Sequence, residues 1–140
     1  MAFKHKLDNE LLSYIQIFSN VTNARLKDAF QFNDTVYFIV EEGDIGKAIG
    51  IKGIFAKTIK NKINKPIKII EFSKDPIKFI KNFLLPLKVD DIVMQDNTIV
   101  VIVLDKFIKA KVLGKRKQNL ELMKHLVKRY FGKEYDVYVQ

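Results

Sequence analysis

The chain has 140 residues, 48% of them hydrophobic, no cysteine and a formal charge of +9. This length fits one ordinary domain or two very small ones, the apolar content excludes a disordered chain, and the lack of cysteine excludes disulfide and thiol chemistry. No apolar run approaches the roughly 20 residues of a membrane helix, and the opening Met1-Ala2-Phe3-Lys4-His5-Lys6 lacks the apolar core of a signal peptide, so the expectation is a soluble, cytoplasmic protein.

Residues 8–18 predict a helix, with Leu11, Leu12, Ile15 and Phe18 on one apolar stripe. Residues 25–32 and 35–40 predict two strands joined at Asn33-Asp34. Glu41, Glu42 and Asp44 form a polar break and an acidic edge, and Asp44 is placed to cap a short helix leading to Gly50. A longer helix follows Gly53, with Phe55, Ile59 and Ile63 on one face. Pro66 stops it and introduces a strand over 67–72.

A second set of elements begins at Asp75-Pro76, a cap and first-turn pair. Its helix ends before Pro86, and strands follow over about 89–94 and 98–104 around Asp96-Asn97. A short helix leads to Gly114. A long one over 117–130 carries Leu120, Met123, Val127 and Tyr130 towards the core, and 135–139 forms the last strand. Both halves therefore read α-β-β-α-α-β. The expected division is 1–74 and 75–140, with no Gly/Ser-rich or Pro-rich linker at the seam. Units of this size bury a low fraction of their surface, so the two are expected to pack as one rigid body.

The halves also match as sequence, at an offset of 64 residues and without a gap over about 35–65. Phe38-Ile39-Val40 falls on Ile102-Val103-Leu104, Lys47 on Lys111, Ile49 on Leu113, Gly50 on Gly114 and Lys60 on Lys124. Such repetition sets the architecture. The basic charge repeats with it. Residues 46–68 hold seven lysines and no acid, and residues 107–133 hold nine lysines and arginines with the single acid Glu121, so the rest of the chain is net negative. Basic stripes of this kind are a footprint of polyanion binding; a solvated lysine-rich face is the plainer alternative.

The candidate site is Gly50-Ile51-Lys52-Gly53, a glycine-bounded turn between two helices. Glycines let backbone approach a ligand closely, and the helix that follows directs N–H groups at the turn. Lys47 and Lys52 would neutralise phosphates, with Lys52 a cation at the tip, and Ile45, Ile49 and Ile54 would form an apolar floor for bases. In the second half the turn is Gly114-Lys115-Arg116-Lys117, with Lys111 one turn earlier. Lys117 replaces the second glycine. Its two readings are an electrostatic contact in place of a backbone one, and a domain kept for packing or protein docking. Tyr37, Tyr130 and Phe131 are either base-stacking or core residues. His5 and His125 have no cysteine partners, so no zinc site is expected. No group of side chains suggests an enzyme.

The segment Glu41-Glu42-Gly43-Asp44-Ile45-Gly46-Lys47-Ala48-Ile49-Gly50-Ile51-Lys52-Gly53 resembles the first KH segment of the archaeal NusA-like transcription termination factors. So do Asp75-Pro76-Ile77-Lys78-Phe79-Ile80-Lys81-Asn82, Leu85-Pro86 and the second half up to Val137-Tyr138-Val139. The chain departs from the pattern at Lys117, and at Ala56, where a branched apolar residue is usual. The resemblance implies an α+β fold of two tandem type II (prokaryotic-type) KH domains. It implies RNA binding through Lys47, Ile49, Gly50, Ile51, Lys52, Gly53, Ile54, Lys111, Gly114, Lys115, Arg116 and Lys117. The partners it implies are single-stranded RNA and RNA polymerase, with no cofactor, no small-molecule substrate and no membrane. The role it implies is modulation of elongation, pausing or termination. The alternatives are a ribosome-associated or RNA-processing KH protein, and a protein–protein adaptor on RNA polymerase.

Overall fold

A computed structural model describes residues 3–4 and 8–140, so His5 lies outside the described residues. The chain forms two compact α+β units, Met1–Phe72 and Ser73–Gln140.

In the first unit, β1 (Phe3–Lys4) is followed by α1 (Asn9–Val21), β2 (Leu26–Phe32), β3 (Thr35–Val40), α2 (Ile45–Ile49), α3 (Ile54–Ile63) and β4 (Ile67–Glu71). The sheet order is β1-β2-β3-β4. β2 and β3 are an antiparallel hairpin whose register closes at Phe32↔Thr35. Asn33 turns the corner at φ 54, a conformation asparagine tolerates better than most residues. β3 and β4 run parallel, with Phe38 opposite Ile69. That pairing needs a crossover, which α2 and α3 supply.

Asp8 caps α1 by accepting the Leu11 N–H at 2.8 Å. The buried face of α1 is Leu11, Tyr14 and Phe18, while Leu12 is 48% exposed. The sequence stripe included Leu12; the helix instead turns Tyr14 inward, since its hydroxyl can donate to Glu10 Oε1 at 3.0 Å and a buried phenol needs such a partner. Phe18 stacks on Phe38 at 4.7 Å between ring centroids. These rings pack with Ala29, Val36, Val40, Ala48, Ile59 and Ile63 into the core between helices and sheet.

The second unit comprises α4 (Pro76–Leu84), β5 (Asp91–Gln95), β6 (Thr98–Ile102), α5 (Lys106–Leu113), α6 (Gln118–Phe131) and β7 (Asp136–Val139). Its sheet order is β5-β6-β7, with β6 antiparallel to β5 and parallel to β7. Asp75 caps α4 through the Ile77 N–H at 3.0 Å, with Pro76 in the first turn. The β5–β6 turn places Asp96 and Asn97 at φ 47 and 63, the double positive φ of a tight hairpin. Phe79 of α4 meets the Tyr130 ring edge-on at 5.4 Å.

The buried face of α6 is Leu122, Met123, Leu126 and Val127; Leu120 and Tyr130 are only partly covered. A single stripe through Leu120 and Tyr130 describes a helix packed on one neighbour. α6 packs on three, β7, α5 and α4, so its buried face is two residues wide.

Candidate nucleic-acid interface

The approach to the first glycine turn is pinned before the turn begins. Glu41 N–H donates to Arg25 O at 2.9 Å, and Gly43 N–H donates to Glu71 Oε2 at 2.7 Å. Asp44 does not cap α2: its φ and ψ are −102° and 2°, and its side chain makes no cap hydrogen bond. Its carboxylate instead accepts Arg25 N–H at 2.7 Å, Nε at 3.1 Å and Nη2 at 3.3 Å. Charge-assisted bonds of this kind outcompete a neutral N–H donor. The Asp44 side chain is 5% exposed, so it belongs to the interior and not to an acidic edge. The Arg25 hydrogen bonds hold its carboxyl below the usual range.

Gly50 closes α2, donating its N–H to Gly46 O at 2.9 Å, and stands at φ 78°, ψ 172°. This torsion pair is essentially open to glycine alone. Lys52 follows at φ 55°, ψ 25° and Gly53 at φ 73°, ψ 20°, with Gly53 N–H donating to Gly50 O at 3.1 Å. No side chain caps α3, so the turn is built of main chain. A Cβ at Gly50 would sit 2.7 Å from Phe55 Cδ2, whereas a Cβ at Gly53 would meet nothing within 4 Å. The two glycines thus do different work. Gly50 is fixed by torsion and by a ring packed against it; Gly53 needs only its left-handed φ and leaves bare backbone facing open space.

The second turn repeats this path. Gly114 has φ 76°, ψ 170°; Arg116 has φ 55°, ψ 30°; Lys117 has φ 59°, ψ 28°. Lys117 N–H donates to Gly114 O at 3.1 Å, matching the bond in the first turn. Asn119 takes the place of Phe55: a Cβ on Gly114 would lie 2.8 Å from its Cγ. Its Nδ2 donates to Lys111 O at 3.1 Å. The glycine lost between the copies is the one whose torsions another residue can adopt. The one retained sits where only glycine fits. Holding a lysine left-handed costs roughly 1–2 kcal/mol.

Lys117→Gly is therefore expected to stabilise the second unit by about 1 kcal/mol, read by denaturant unfolding. If the lysine also meets a phosphate, RNA binding weakens and the salt slope flattens by about 0.7. Tighter binding at every salt concentration would identify its side chain as an obstruction.

The remaining expected residues divide clearly. Lys47, Lys52, Lys111, Lys115, Arg116 and Lys117 are exposed, with Lys47 Nζ 4.0 Å from Asp44. Ile51 is 84% and Ile54 57% exposed, Ile49 is partly covered, and Ile45 is half-buried against the core. In the first unit, Lys47 to Ile54 cluster on α2, the turn and α3. Lys111 to Lys117 form the matching cluster in the second. Tyr37 is buried and stacks on Phe30 at 5.0 Å, and burial raises its phenol pKa. Tyr130 and Phe131, both half-buried, pack on Phe79, so each of the three aromatic candidates has a ring partner within its own unit. Among the described residues no group of three or more His, Asp or Glu is placed to hold a metal, and no helix is long and apolar enough to cross a membrane. Sequence reasoning passed over the exposed pair Leu104 and Phe107.

Fold and site define a small α+β protein presenting two lysine-flanked, glycine-based helical turns of the same backbone path. No family model matches the chain. It is 33% identical over 130 residues to the probable transcription termination protein NusA of Methanocaldococcus jannaschii, across 91% of this chain and 71% of that protein. It is 29% identical over 129 residues to the protein of the same name from Thermoplasma acidophilum, across 90% of each. The crystal structure of APE1850 superposes with a TM-score of 0.69 at 25% identity, covering 96% of this chain and all of that one. The chain belongs to the archaeal NusA-like family of transcription termination proteins.

Proposed function

We propose that the chain is a transcription termination or antitermination factor that works by binding single-stranded RNA, modulating elongation or pausing without an enzymatic step. Each unit acts as a type II KH domain, and RNA polymerase is the protein partner, in the cytoplasm. The observation that carries this reading is the shared torsion path of the two turns, preserved although one glycine has become Lys117. A second domain kept only for packing would have no reason to hold a lysine left-handed, so the same observation favours RNA binding by both units over a pure adaptor role.

The division of labour follows from the chemistry. Lysines attract the strand at long range and neutralise phosphates. The turn's main-chain N–H groups and the start of the following helix position the backbone. Exposed Ile51 and Ile54 offer apolar contact to bases.

Several phosphates neutralised together predict a marked salt dependence. With about −0.7 per single-strand phosphate, the slope of log affinity against log salt should be roughly −2 to −4 for a short oligouridylate. A nearly flat titration would favour the polymerase-adaptor reading instead.

A further inference from the structure

The most exposed aromatic side chain among the described residues is Phe107, at 84%, and Leu104 beside it is 79% exposed. Neither belongs to the turns described above. Groups left open in this way contribute little burial to the fold, and the two stand close together in the chain, so their setting is informative.

Their backbone is held firmly. Leu104 N–H donates to Asp90 Oδ2 at 2.7 Å, and Asp105 Oδ1 accepts the N–H of Phe107 at 2.8 Å and of Ile108 at 3.1 Å. Phe107 is thus displayed on the capped first turn of α5, not on a loose loop. On that helix, positions 107, 110, 111 and 114 share one face by i, i+3, i+4 and i+7 spacing. Phe107, Ala110 and Lys111 are all exposed, while Val112 on the other side is fully buried. The exposed face therefore runs from Phe107 through Lys111 to Gly114, a rise of about 10 Å along the axis. It ends on Lys115, Arg116 and Lys117. An aromatic ring thus lies at one end of this face, Lys111 along it, and the basic main-chain turn at the other.

The first unit lacks the ring. In the repeat frame Phe107 falls on Gly43 and Ala110 on Gly46, and a Cβ at either glycine would meet nothing within 4 Å. Lys106, where α5 begins, falls on Glu42, whereas α2 begins only at Ile45. The extra helical turn of α5 is what presents Phe107.

We propose that Phe107 is a stacking platform for a base of the same RNA strand whose backbone lies at the Gly114–Lys117 turn, which makes the second unit the one that grips a base by an aromatic face. This rests on the RNA-binding reading above. Stacking is sequence-tolerant, since every base has a π-face, so Phe107 adds affinity and register without adding a strict sequence requirement.

The chain contains no tryptophan, so Phe107→Trp places a single reporter at this position in the full chain. Titration with a short oligouridylate should quench its emission, and an abasic strand of the same length should not. Phe107→Ala should lower oligouridylate affinity about tenfold while leaving the salt slope unchanged, because no phosphate contact is lost. RNA binding with unaltered tryptophan emission, or unaltered affinity of Phe107→Ala, would overturn the proposal and leave this face to a protein. Replacing Ile51 and Lys52 by aspartate in parallel separates the two levels. If that variant loses RNA while Phe107→Ala does not, only the stacking role fails; if neither variant changes binding, both the stacking role and the placement of RNA at the turns fail; if the wild-type chain binds no oligouridylate, the RNA reading itself fails.

Discussion

Replacing Ile51 and Lys52 together by aspartate is expected to lower single-stranded RNA affinity at least tenfold, about 1.4 kcal/mol. Both side chains are exposed on the first turn, Ile51 at 84%, so two carboxylates would stand where a phosphate is to lie. The folded state has little to lose. Exposed substitutions away from caps and core usually change stability within about 0.5 kcal/mol. Lys52 sits at φ 55°, and aspartate visits that region more readily than most residues. The variant should therefore unfold at nearly the wild-type midpoint while losing RNA in a filter-binding or anisotropy titration. A folded variant that binds RNA as before would remove this turn from the interface.

The largest expected effect on stability comes from Gly50. Alanine there would be held at φ 78°, ψ 172°, a strain of order 1–3 kcal/mol. Its methyl would also stand 2.7 Å from the Phe55 ring and 3.2 Å from Ile54 Cγ2, adding overpacking of about 1–3 kcal/mol. A combined loss of about 3 kcal/mol is a large share of the stability of a small unit. Gly53→Ala is the control. It meets open space, so it should cost only the roughly 1–2 kcal/mol of a left-handed alanine. Equal losses at the two glycines, measured by denaturant unfolding, would contradict the distinction between a glycine fixed by packing and one fixed by φ alone.

That distinction also marks what the amino-acid sequence could and could not reveal. Glycine-bounded turns, the Asp75-Pro76 helix start, the Asn33-Asp34 and Asp96-Asn97 corners and the order of elements are local signals, and each was legible. Lys117 was legible only as a departure from a pattern. Its left-handed torsions carry no signal in the residue itself, because a lysine rarely adopts them. The torsion match between the two turns emerges only in three dimensions. The Arg25–Asp44 pair spans nineteen residues, and no short-range rule would prefer it to the nearer cap that Asp44 was expected to make. The inward turn of Tyr14 in place of Leu12 depended on Glu10 being in reach. The two-residue-wide face of α6 depended on how many neighbours it meets. Phe107 could have been found by asking which apolar residue shares a helical face with Gly114, a question that periodicity analysis aimed at the core does not pose.

The central claim is that both turns receive one class of ligand, the backbone of single-stranded RNA. Amide chemical-shift mapping of the full chain during titration with a short oligouridylate tests it directly. The account predicts the largest perturbations at the amides of Gly50 to Phe55 and of Gly114 to Asn119, saturating together. Perturbations confined to the first turn, or absent from both while RNA is bound elsewhere, would contradict it.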